Sequence, residues 1–164
     1  MITKKICMLG AFSVGKTSLV EHFVHSIFSD SYVSTIGVKI SKKRIVTKNE
    51  ELTLVLWDLE GNDDYVGINM TYIKGAAGLF VVADLTRKET LDIALQIRAN
   101  AIELIGHSVP NILLLNKSDI EPREITAQQI TKLTASGIPV LLTSAKTSEN
   151  VENAFAFIAH RMIL

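Results

Sequence analysis

Between the apolar run Ile6–Leu9 and a stretch where Leu19, Val20, Phe23, Val24 and Ile27 recur at helical spacing stands Gly10-Ala11-Phe12-Ser13-Val14-Gly15-Lys16-Thr17. This is the pattern G-x-x-x-x-G-K-[ST], and its chemistry demands a strand before it and a helix after it. Glycine lets the backbone curl so that successive amides point inward, and the helix start adds partial positive charge. Such a loop holds phosphate. Lys16 can reach the outer phosphates and the Thr17 hydroxyl can ligate Mg²⁺, with Ser13, Val14, Gly15 and Ser18 completing the phosphate-binding set. The bland alternative is a glycine-rich turn with a solvated lysine, and the flanking strand and helix patterns count against it. Alone, the motif implies a nucleoside triphosphate and no particular base.

The rest of the chain repeats the strand-then-helix rhythm. Leu52, Leu54 and Leu56 alternate with Thr53 and Val55, while Val38 and Ile40 begin a partner strand across a hairpin turn read at Lys48-Asn49-Glu50-Glu51. Leu79–Ala83 and Ile112–Leu115 are buried-strand runs, and Val140–Leu142 is the last. Thr86 with Glu89, and Thr126 with Gln129, form capping-box patterns, the first opening a helix through about Ile105. Val151, Ala154, Phe155, Ile158 and Met162 make a closing helical stripe. The expected class is α/β: a mostly parallel six-stranded sheet with one antiparallel edge strand and helices on both faces, in one domain over residues 1–164. In such sheets ligands sit at the carboxyl ends of the strands.

Two further motifs fall at those ends. Asn116-Lys117-Ser118-Asp119 follows Ile112–Leu115 directly. A carboxylate accepts both the N1–H and the exocyclic amine of guanine, a pair adenine does not offer, so Asp119 selects guanine. Lys117 can lay its aliphatic stem along the purine face. Ser144-Ala145-Lys146 comes just after the last strand, where an amide can donate to the guanine carbonyl. Each tetrapeptide-sized signal is weak by itself. Three in order, each at a strand end, are specific.

With these motifs the chain resembles the Ras superfamily of small GTPases along essentially its whole length, and the P-loop G-domain fold with it. Trp57-Asp58-Leu59-Glu60-Gly61-Asn62 resembles the D-x-x-G motif of the Rab branch, usually W-D-T-A-G-Q, and Ser34-Thr35-Ile36-Gly37-Val38 resembles its first switch segment. The resemblance implies that Thr35 ligates Mg²⁺ when GTP is bound, that Asp58 holds it through water, and that the Gly61 amide meets the γ-phosphate. It also implies an aromatic against the base, Phe28, and one over the phosphates, Tyr32. The implied function is a GTP/GDP switch with slow hydrolysis, in which Lys16, Gly61 and Asn62 are the catalytic candidates. Its partners would be protein effectors and regulators meeting the switch regions.

Several positions depart from that pattern. Asn62 stands where the family carries the glutamine that orients attacking water; it has the same amide on a side chain one methylene shorter. Phe12 is bulky where a small residue is usual, beside the space an inserted arginine would use, and no Arg or Lys lies between Phe28 and Val38 to serve from within. Asp63 and Asp64 read as solvated loop carboxylates; Leu59 and Glu60 also differ from the family's Thr-Ala, and the sequence leaves the role of Glu60 open, its side chain being free to point away. Two rivals follow: a nucleotide-dependent interaction module with negligible hydrolysis, motivated by Phe12 and Asn62, and an ATPase or kinase, opposed by Asp119.

The remaining features have plain readings. His22, His25, His107 and His160 show no ligand spacing. Lys39, Lys42, Lys43, Arg44 and Lys48 read as charge protecting an edge strand, with partner docking as the alternative. Trp57 falls on the strand face opposite Leu52, Leu54 and Leu56, which favours an apolar patch met by partners over the alternative of a core residue. With 17 basic and 17 acidic residues, nucleic acid is not favoured as a partner. One cysteine, Cys7, suits a reducing compartment. No apolar run approaches the ~20 residues of a membrane span. Ile2 stands where N-myristoylation needs glycine, and the chain ends at Leu164 without a nearby cysteine, so a cytoplasmic chain without its own lipid anchor is expected. A prokaryotic Rab-like member and a shortened eukaryotic one fit that equally.

Overall fold

The computed structural model describes residues 2–26, 28–29, 36–47, 50–61 and 70–164. The chain runs β1 (Ile2–Gly10), α1 (Lys16–His25), β2 (Val38–Thr47), β3 (Glu50–Leu59), a short 3-10 helix (Met70–Ile73), β4 (Gly78–Asp84), α2 (Glu89–Ile105), β5 (Asn111–Asn116), α3 (Ala127–Ala135), β6 (Val140–Leu142) and α4 (Val151–Met162). The six strands form one sheet in the order β2-β3-β1-β4-β5-β6. Only the β2–β3 pair is antiparallel. This is the mixed α/β sheet that the strand-and-helix pattern predicted. The expected phosphate loop leaves the carboxyl end of β1, and the two segments expected to read the base leave β5 and β6, on the far side of β4.

Alternation along each strand decides which helices cover it. Phe80 of β4 meets Phe155 of α4 with ring centroids 4.7 Å apart, and Phe155 stacks on Phe23 of α1 at 3.6 Å. On the other face Val81 and Ala83 pack with Leu91 and Ala94 of α2. The closing stripe behaves as read: Val151, Ala154, Phe155, Ile158 and Met162 are all buried. Phe155 therefore joins two helices to the sheet. Phe155→Ala is expected to cost about 3–5 kcal/mol of folding stability, read as a lower urea midpoint at unchanged slope. A shift under about 1 kcal/mol would show that the ring cluster is not a keystone.

Two local expectations need correction. The hairpin is tighter than read: Thr47 pairs with Glu50, so Glu50 and Glu51 belong to β3, and Lys48 and Asn49 lie outside the described residues. Thr86 does not cap α2. Its hydroxyl and amide both turn back to the Asp84 carboxylate, at 2.7 and 2.9 Å, and the helix starts later, at Glu89. A carboxylate just upstream outcompetes the helix amides for a short hydroxyl. The second box is present as read, with Thr126 and Gln129 capping each other.

The basic hairpin is partly structural. Lys39 pairs with Glu21, and Lys43 donates to the Phe23 carbonyl, lies 4.1 Å from its ring and pairs with Glu152 at 3.8 Å. Lys42 and Arg44, on the strand's outward positions, are both exposed. Trp57 is half-buried under the Lys5 ammonium, 3.8 Å from its ring, beside Tyr72. Burial pushes the Cys7 thiol up to about 11, so it stays protonated. Among the described residues no helix is long and apolar enough to cross a membrane.

Candidate functional site

Three side-chain donors grip successive carbonyls along the back of the phosphate loop. Arg87 Nη1 donates to the Phe12 carbonyl at 2.9 Å, Lys117 Nζ to the Ser13 carbonyl at 2.8 Å, and Asn116 Nδ2 to the Val14 carbonyl at 3.0 Å. In a planar trans peptide the C=O and N–H point in opposite directions. Pulling these carbonyls back therefore turns the amides of Ser13, Val14 and Gly15 to the other side, as a row of donors. Ser13 at φ 63° and Gly15 at φ 100° supply the left-handed backbone such a curl requires. The Leu19 amide meets the Gly15 carbonyl at 3.0 Å and starts α1 from the loop's end, with Ser18 in its first turn.

Lys16 is 6% exposed, and its ammonium donates to the carbonyls of Gly10 and Ala11 at 3.1 and 2.7 Å. Folded over the loop, it carries its charge across the concavity. The Thr17 hydroxyl donates to Asp58 Oδ2, and Asp58 is only 1% exposed. A hydroxyl beside a buried carboxylate is a hard oxygen pair, the kind of donor set a small divalent cation takes. The residues present fit Mg²⁺.

Gly61 abuts the loop. A Cβ there would lie 2.6 Å from the Phe12 Cα and 2.8 Å from the Ala11 carbonyl oxygen. Beside it the Glu60 carboxylate accepts the Gly37 amide at 3.0 Å while the Glu60 amide donates to the Gly37 carbonyl at 2.8 Å. This reciprocal pair extends the β2–β3 ladder and ties Gly37, in the segment that resembles the first switch, to Glu60 of the Trp57–Asn62 segment. Phe12 keeps 40% of its surface exposed, and Phe28, past the end of α1, keeps 37%. Tyr32, Thr35, Asn62, Asp63 and Asp64 lie outside the described residues.

The base-reading segments are brought together. Ser144 is fully buried and its hydroxyl donates to Asp119 Oδ1 at 2.7 Å, aiming an otherwise exposed carboxylate. Ala145 is buried and Lys146 exposed just beyond. Asn116 also accepts from the Thr143 hydroxyl at 3.1 Å, and Ser118 is tied to Glu149, so the β5 and β6 exits are cross-braced. Sequence reading missed three of these supports. Asp84 is buried and forms a 2.8 Å ion pair with Lys117, Thr143 orients Asn116, and Arg87 reaches the loop from the β4–α2 connection. A carboxylate ending the buried run Leu79–Ala83 was a signal for Asp84; Arg87 had none.

A sequence model of the Ras family matches residues 5–164. The chain is 34% identical to the Ras-related protein RABD1 of Arabidopsis thaliana over 157 residues, 94% of this chain and 77% of that protein. It is 32% identical to the Ras-related protein Rab-13 of Canis lupus familiaris over 162 residues, 98% of this chain and 80% of the relative. To the GTP-binding protein YPTM2 of Zea mays it is 32% identical over 157 residues, again 94% and 77%. Similarity that spans both the phosphate loop and the base-reading strand ends leaves one assignment: this chain belongs to the Ras family of small GTPases and is Rab-like.

Proposed function

We propose that the chain, as one G domain, is a guanine-nucleotide switch that binds GTP and GDP with Mg²⁺ and hydrolyses GTP slowly. The observation that carries this reading is the joined site: Asn116 and Lys117, from the segment that ends in Asp119, themselves hold the phosphate loop's carbonyls. Base selection and phosphate binding are thus one mechanical unit. The amides of Ser13, Val14 and Gly15 and the Lys16 ammonium receive the phosphates. Thr17, Thr35 and Asp58 would hold Mg²⁺, which when bound supplies positive charge to the β- and γ-phosphate oxygens. Asp119, with Ala145 and Lys146, reads guanine, and Phe28 and Tyr32 flank the nucleotide.

Water attacks the γ-phosphorus, the bond to the bridging oxygen breaks, and GDP and phosphate leave. Lys16 and the loop amides stabilise the charge, and Asn62 orients the water from a short reach. Loss of the γ-phosphate releases Gly61 and Thr35, and the Glu60–Gly37 pair makes the two segments relax together. Effectors and regulators read that change at the switch segments and at the neighbouring Ile40–Trp57 surface of β2 and β3, which pair in register. The work is done in the cytoplasm, with no nucleic acid partner.

Single-turnover hydrolysis of bound GTP tests the chemistry. Asn62→Ala is expected to slow it about tenfold, or about 1.4 kcal/mol of barrier, and Asn62→Gln to speed it, with nucleotide affinity little changed in either. An Asn62→Ala protein as fast as wild type makes Asn62 a spectator. Phe12 packed beside Gly61 favours one alternative, an interaction module that binds GTP and scarcely hydrolyses it. A wild-type chain that retains its GTP through the same assay selects that alternative.

A further inference from the structure

We propose that Arg87 is a positioning residue for hydrolysis, acting through the Phe12–Ser13 peptide. The inference rests on the GTPase reading above. Arg87 belongs to no motif, yet its place is built. Its amide donates to the Asp84 carbonyl at 3.0 Å, and its carbonyl accepts the Thr90 hydroxyl at 2.7 Å. Its Nε is 3.3 Å from the Glu89 carboxylate, which steadies the guanidinium while Nη1 reaches the Phe12 carbonyl. The Phe12 loop thus gains a fixed cation from within the chain, although the first switch segment offers none.

The three clamps divide the loop. Lys117 and Asn116 govern the amides of Val14 and Gly15, and both come from the base-reading segment. Arg87 governs the Ser13 amide, at the end of the loop that abuts Gly61. By the proposed reading, that is the end nearest the terminal phosphate. A cation on the carbonyl strengthens the dipole of the whole peptide, so the Ser13 N–H is both aimed and polarised. Donors that are oriented in advance act most where charge grows during the reaction. Arg87 should therefore lower the barrier more than it tightens nucleotide binding, without touching phosphate itself.

The 164-residue chain, with Arg87→Ala and Arg87→Lys, tests this. Four quantities are measured: the dissociation constants of GDP and GTP, single-turnover hydrolysis, the affinity for GDP–aluminium fluoride, and the ¹⁵N shift of the Ser13 amide. Arg87→Ala is expected to slow hydrolysis about tenfold and to weaken the aluminium fluoride complex in parallel. Its GDP affinity should stay within about twofold of wild type. Arg87→Lys, which keeps a charged donor, should recover most of the rate and the wild-type Ser13 resonance. An unchanged rate overturns the inference. So does an equal loss of GDP and GTP affinity with the rate per bound nucleotide preserved, since that marks a purely structural brace. If wild type does not hydrolyse GTP at all, the GTPase reading and the positioning role of Arg87 in hydrolysis both fall. The two failures differ, because a Ser13 resonance that moves in Arg87→Ala and returns in Arg87→Lys still establishes the clamp.

Discussion

Replacing Asp119 with asparagine is expected to reverse the base preference of the site, turning a guanine binder into a xanthine binder. Among the described residues the Ser144 hydroxyl donates to Asp119 Oδ1 at 2.7 Å, and on the proposed reading Oδ2 is left for the base. A carboxylate accepts the two hydrogens of the guanine edge. An amide puts a donor where guanine also presents a donor, and two donors facing each other in a partly dry pocket leave both unpaired. Xanthine carries a carbonyl in place of the amine, so the same amide now pairs. Sites built around hydrogen bonds reject the mismatched analogue by roughly 10⁴-fold. The ratio of GTP to XTP dissociation constants should move by a factor of that order, with the Mg²⁺ requirement unchanged. If the Asp119→Asn protein keeps the wild-type ratio, the base is read elsewhere and the assignment of Asp119 fails. Because the phosphate loop is untouched by the substitution, total loss of both nucleotides would point instead to collapse of the Ser144 loop.

The order of elements and the places of the motifs were legible because both rest on local rules. Apolar runs such as Leu79–Ala83 are buried strands whatever surrounds them, and a glycine-lysine loop between strand and helix has one use. What escaped was the bracing that only the folded sheet assembles. Arg87 and Phe12 are 75 residues apart, and Lys117 and Ser13 are 104 apart, yet strand order brings each pair into hydrogen-bond range. No periodicity reports such a contact. The Thr86 error has a similar source. The spacing to Glu89 satisfied the capping rule, but Asp84 at the end of β4 took the hydroxyl first. The sequence left the role of Glu60 open. The answer is the Gly37 amide, which the β2–β3 register delivers when it sets Val38 opposite Leu59.

Gly15→Ala is expected to remove nucleotide binding almost entirely, and the reason is the link between the two halves of the site. Gly15 stands at φ 100°, a conformation that costs an alanine about 1–2 kcal/mol before any contact is considered. Its added Cβ would then lie 2.2 Å from Nδ2 of Asn116. Asn116 is 2% exposed and engaged at both ends, donating to Val14 and accepting from Thr143, so it has no room to retreat without breaking a buried bond. Each such bond is worth about 1–3 kcal/mol when a partner is left unsatisfied. Strain and the two lost bonds together amount to about 3–8 kcal/mol, which is roughly two to six decades of affinity. GDP and GTP should suffer alike, because the Gly15 amide and the start of α1 serve the phosphates both nucleotides share. The steric part can be isolated. Asn116→Ala removes the obstructing amide and costs affinity in its own right by freeing the Val14 carbonyl. Once that is done, adding Gly15→Ala should cost only the backbone strain, so the double variant should bind better than the sum of the single losses allows. Strict additivity in that cycle would mean that Gly15 and Asn116 act independently, and that the phosphate loop is not held from the base-reading strand at this point.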